Sequence, residues 1–194
     1  MRVYDEIFPA QRQLEYVQTE WSGGWSAGTS GFGYAAEFLT KHARSFGATI
    51  DQAGLAVFFL QRHRVEMVLK DLLNFFGIKF KSSHSLHYLW GLCEQGFEES
   101  ELLEWAEFDA EHGEFVRALI AVDDGAATFR FPVDREGQEA KRPDFIDLEA
   151  LNRHVEALEN GASGCVDYVG ELNAEAASAE ADFGGEEVPG WEEL

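Results

Sequence analysis

Residues whose types suit chemistry are concentrated between positions 62 and 87. Arg62, His63, Arg64 and Lys70 fall on one amphipathic stretch, and His84 and His87 follow after a short basic loop. An imidazole can act as general acid or base, and a guanidinium can stabilise negative charge developing on a phosphate. His84 meeting Arg62 or Arg64 of a partner subunit would assemble a phosphate-cleaving pair, which makes Arg62, Arg64, His84 and His87 the candidate catalytic residues. Arg62, His63, Arg64 and Lys70, with Arg130 and Trp191 further along, are the candidate binding residues. A structural role competes with each: histidine at a helix start also caps or packs, and the arginines have many carboxylates to pair with. His84 and His87 are three apart, a spacing that can put two imidazoles on one metal. There is no His-Glu-x-x-His pattern and no third ligand nearby, so no metal site is expected.

The elements that must position these residues follow from periodicity. Thr49 and Gln52 have capping-box spacing, with Asp51 as an alternative cap. The helix they open runs to about Phe76, with Leu55, Phe59, Leu69, Leu72, Leu73 and Phe76 on or beside one stripe and Gly77 as its stop. The loop IKFKSS, with Ser82 or Ser83 as cap, leads into a second helix from His84 to Gln95, ended by Gly96. The two form the expected core hairpin.

Upstream, residues 1–20 have loose helical spacing. The run WSGGWSAGTSGFG over residues 21–33 predicts a loop pinned by Trp21 and Trp25. It lacks the lysine and the preceding strand of a phosphate-binding loop, and no cofactor is expected. A helix follows from Tyr34 to Phe46. Downstream, helical segments are expected at Ser100 to Phe108 and Ala110 to Asp123. TFRFPVD then alternates, predicting a short extended segment near residues 127–134, closed by Pro132. Asp147 caps a last long helix whose seam is Leu148, Leu151, Val155, Leu158, Ala162, Cys165, Val169 and Leu172. After Arg153 there is no Lys or Arg. The tail is expected to fray into disorder near Gly184, with Phe183, Val188 and Trp191 as a candidate docking motif against the alternative of a plain solvated tail. The expected organisation is an N-terminal arm and loop (1–33), an all-α up-and-down helical bundle (34–172) and an acidic, partly disordered tail (173–194).

The totals narrow the function. The chain carries 15 Lys and Arg against 36 Asp and Glu, a net charge of −21. That balance opposes general binding to nucleic-acid phosphates and favours a basic protein partner. Cys93 and Cys165 fall in helical patterns without metal-ligand spacing, as expected of reduced thiols in a cytoplasmic core. No stretch is apolar enough for a signal peptide or membrane span.

The run FFLQRHRVEMVLKDLLNFFG followed by KFKSSHSLHYLWGLCEQ resembles the HEPN superfamily of small helical bundles. The resemblance lies in Glu66, Lys70, His84 and either Leu86 or Leu89. FRFPVD is similar to the Arg-Tyr-Pro segment of several such families, with Phe131 in place of tyrosine. The resemblance spans about residues 50 to 170. It implies a bundle that commonly pairs as a homodimer and, in catalytic members, an Arg-x4-6-His motif that cleaves RNA without metal. No arginine here is followed by histidine at that spacing. After Arg117 the eligible positions are Val122, Asp123 and Asp124, and acids there repel phosphate.

The expectation is therefore a non-catalytic HEPN-like protein that binds a protein partner encoded nearby, the acidic charge favouring a basic one, in a bacterial toxin–antitoxin or antiphage defence system. One alternative is a ribonuclease with a rearranged Arg/His site. The other is an acidic immunity or nucleic-acid-mimic protein that neutralises a basic effector.

Overall fold

The computed structural model describes residues 24–42, 50–100, 103–128, 137 and 142–183. They form five helices and no strand: α1 (Gly24–His42), α2 (Ile50–Phe75), α3 (Leu86–Ser100), α4 (Trp105–Asp123) and α5 (Leu148–Phe183). The all-α expectation holds.

Local chemistry accounts for several boundaries. Gly77 ends α2 at φ +69°, a left-handed conformation that costs a residue with Cβ but not glycine. Asp147 caps α5 as expected, its Oδ1 accepting the N–H groups of Glu149 at 3.0 Å and Ala150 at 2.9 Å. The α5 seam is real and intramolecular: Leu151, Val155, Leu158 and Ala162 are buried in the core with residues of α2, α3 and α4.

The up-and-down order is not what the contacts trace. Cys93 Sγ donates to the carbonyl of Leu69, and Gly96 lies against Phe76, while the start of α3 sits at the level of Arg62. α3 therefore runs parallel to α2, and the expected hairpin is a crossover. Returning from Phe76 to the level of Arg62 spans roughly 20 Å at about 1.5 Å per helical residue. The connecting residues manage this by running extended. Ile78 and Phe80 pack on the core while Lys79 and Lys81 face solvent, an alternation with the two-residue period of extended chain. α4 runs antiparallel to α3, with Trp105 against Phe97 at 5.4 Å and Leu86 bonded to Asp124. α5 is antiparallel to α4, since His112 faces Gly161 and Phe115 stacks on His154. α1 is antiparallel to α2.

Other boundaries also differ from expectation. The loop expected over residues 21–33 is helical from Gly24. One of its glycines serves packing: a Cβ on Gly33 would lie 2.7 Å from the Arg64 guanidinium carbon, so a residue that lowers helix propensity is one that lets α1 approach α2. Ser85, and not Ser82 or Ser83, caps α3, accepting the N–H of Tyr88 at 3.1 Å. The helix runs through Gly96 to Ser100. The two segments expected from Ser100 to Asp123 are one helix from Trp105, because Trp105 and Phe108 must lie on one face to meet Trp90 and Phe97. α5 stays helical past Asn173 to Phe183, and residues 184–194 lie outside the described residues. So do residues 129–134 of the expected extended segment; Ala127 and Thr128 belong to no strand.

Gly96 and Gly91 make a paired test of packing against propensity. A Cβ on Gly96 would meet Phe76 Cδ2 at 2.5 Å and Cγ at 2.8 Å, whereas Gly91 has nothing within 4 Å. Gly96→Ala is expected to destabilise by about 1 to 3 kcal/mol through overpacking. Gly91→Ala should instead stabilise by up to about 1 kcal/mol, since only propensity changes. Thermal unfolding of the two variants beside the native chain reads the opposite signs directly.

Candidate functional site

The site grows from α2. Arg62, Glu66 and Lys70 are spaced one helical turn apart, so their side chains stand in a row. The row faces inward: Arg62 and Glu66 are 0% exposed. Charges so buried persist only with close partners. Glu66 is the hub. Its Oε2 accepts Arg62 Nη1 at 2.5 Å and its Oε1 accepts Lys70 Nζ at 2.6 Å. The crossover brings His84 back onto the same carboxylate, with Nδ1 at 3.0 Å from Oε1. His63 Nδ1 stands 3.6 Å from Oε2.

Arg62 uses its remaining donors on main chain. Nε donates to the carbonyl of Asp123 at 3.2 Å, and Nη2 donates to the carbonyl of Asp124 at 2.6 Å and to that of His84. One guanidinium thus ties α2, the crossover and the C-terminus of α4 together. The Asp124 carboxylate completes the junction from the other side, accepting the N–H of His87 at 2.7 Å and the Ser85 hydroxyl at 2.9 Å. A carboxylate in this position also favours the positive N-terminus of α3. Asp123 Oδ1 closes the turn after α4 by accepting the N–H groups of Ala127 at 2.8 Å and Thr128 at 2.9 Å.

Burial pushes the Glu66 carboxyl upward, but His63, Lys70 and Arg62 together outweigh it and hold the group well below the usual carboxylate range. Glu66 is therefore an anion inside the protein.

The structure brings together Arg62, His63, Lys70 and His84, all on Glu66. Arg64 leaves the group: it points toward α1 and α5 and pairs with Glu159. His87 lies on the first turn of α3 with its side chain exposed. Arg130 and Trp191 lie outside the described residues. Sequence reasoning placed Asp123 and Asp124 only as groups that would repel phosphate. Their position was the available signal, because two acids at a helix C-terminus oppose the helix dipole unless they are engaged elsewhere.

Chemically, His84 is the most open group of the cluster, its side chain 57% exposed against 25% for His63. To bond Glu66 its Nδ1 must carry the proton, which leaves Nε2 to accept or, in the imidazolium, to donate. The neighbouring Ser85 hydroxyl is bonded to Asp124, and Cys93 is buried, its thiol pushed up by burial. Among the described residues no group of three or more His, Cys, Asp or Glu is placed to hold a metal, and no helix is long and apolar enough to cross a membrane. Cys93 and Cys165 are both free thiols.

Fold and site together define an all-helical domain of five described helices around an internally satisfied ion cluster. No family model, curated protein or solved structure matches the chain.

Proposed function

We propose that this chain is a non-catalytic, HEPN-like helical bundle that binds a protein partner, in the setting of a bacterial toxin–antitoxin or antiphage system. The observation that carries this reading is the fate of Arg62. Phosphoryl cleavage by an Arg/His pair needs a guanidinium presented to the phosphate. Here the guanidinium beside His84 is fully buried and bonded to Glu66 and three main-chain carbonyls. Arg64, the other candidate, is held by Glu159. The cluster works as a lock that shapes the surface, and the acidic exterior offers a basic partner its contact.

The experiment is co-purification of the chain with the products of its neighbouring genes at low and physiological salt. Retention of one of them is the expected result; retention of none would count against the reading. An RNA cleavage assay on the native chain, His84→Ala and Arg64→Ala runs alongside. Equal background in all three is expected, and cleavage lost in His84→Ala would favour the ribonuclease alternative.

A further inference from the structure

Asp71 and Asp167 stand where α1, α2 and α5 leave a gap. The cavity there has a volume of about 140 Å³. Val68, Leu72, Ala162 and Val166 supply its apolar lining, and Asp71, Glu159 and Asp167 its charge. Glu159 is already paired with Arg64. Asp71 and Asp167 have neither an ion pair nor a hydrogen bond among the described residues. Burial pushes the Asp71 carboxyl up, with no cation close enough to offset it. The cavity thus presents two carboxylates that no described cation neutralises. α5 extends the same field, since residues 154–194 contain no Lys or Arg.

A cavity lined by both hydrocarbon and two unpaired carboxylates matches a group with an apolar stem and a cationic head. We propose that this cavity receives a single lysine or arginine side chain presented by a basic partner protein. The proposal rests on the partner-binding reading and specifies the chemistry of the contact. The stem packs on Val68, Leu72, Ala162 and Val166, and the head pairs with Asp71 and Asp167. None of the lining residues is bonded to Glu66 or Arg62, so the contact leaves the Arg62 lock undisturbed.

The test titrates the full chain with Nα-acetyl-lysine amide and Nα-acetyl-arginine amide, with Nα-acetyl-norleucine amide as the uncharged control, and follows backbone amide shifts by NMR. Saturable shifts centred on Asp71 and Asp167 are expected with a cationic probe and none with norleucine. Asp71→Asn combined with Asp167→Asn should weaken binding about tenfold or more, as for loss of a partly desolvated charge pair. Glu149→Gln, on the exposed first turn of α5, should leave it unchanged. Asp71→Asn should be at least as stable to urea as the native chain, so lost binding would not reflect unfolding. Shifts spread evenly over the acids of α5, or unchanged binding in the double variant, would overturn the proposal. So would a captured partner that the double variant still retains, although partner binding itself would then stand. Probe binding at the cavity without any captured partner would support the cavity and count against the partner-binding reading.

Discussion

Arg62→Ala is expected to lower stability by about 3 to 5 kcal/mol, the range for removing one member of a buried, hydrogen-bonded charge pair. The loss has three sources. Glu66 keeps Lys70 but loses its closest cation while still out of water. The carbonyls of His84, Asp123 and Asp124 lose a buried donor. The volume of the side chain, among the largest fully buried, is left empty. Against a typical total of about 5 to 15 kcal/mol, a change of this size empties much of the native population. Urea unfolding followed by far-UV circular dichroism measures it. Arg62→Lys should fall between the two, because an ammonium keeps the charge but not the fork that reaches two directions at once. Arg153→Ala, an exposed arginine on α5, should change stability by no more than about 0.5 kcal/mol. A loss in Arg62→Ala no larger than in Arg153→Ala would sink the lock.

Glu66→Gln is the second large effect, and its signature is pH dependence. At neutral pH it removes the anion and leaves Arg62 and Lys70 facing each other without a counter-charge, at a cost of about 3 to 5 kcal/mol. The folded pKa of Glu66 lies below its ordinary value. Its contribution is therefore complete above the unfolded carboxylate range, about 4.3, and is lost as pH falls from there toward the folded value. The native chain and Glu66→Gln should differ most near neutrality and converge as the medium is acidified through that range. Denaturant midpoints of both chains along a pH series provide the comparison. A constant offset down to strong acid would mean that Glu66 contributes by shape and not by charge. Arg62→Met combined with Glu66→Leu should cost less than the sum of the single changes, since the pair is then removed together.

Much of this architecture was legible because its cause is local. The stop at Gly77 needs only a left-handed residue, and the Asp147 cap needs only an oxygen near the first free N–H groups of α5. The α5 seam follows from one helix turning regularly past its neighbours. The glycines of α1 were misleading for a physical reason. Composition cannot separate a glycine that frees a turn from one that lets two helices touch, and Gly33 against Arg64 is the second kind. The candidate site was legible in part. Arg62, His63, Lys70 and His84 do converge, but Glu66 organises them, and Arg64 faces the other way although it is only two positions from Arg62.

Hydrophobic period, caps and stops are properties of a few neighbouring residues, and they suffice for an all-α chain with a long α2, a following helix and a seamed α5. The direction of α3 is not such a property. It depends on Ile78 and Phe80 finding apolar surface while Arg62 reaches the main-chain carbonyls of His84, Asp123 and Asp124, up to 62 positions away. A bond to a main-chain carbonyl leaves no mark on the type of the residue that accepts it. Only the packed structure decides whether Arg62 faces a phosphate or the interior, and here it faces the interior, where burial makes every partner indispensable.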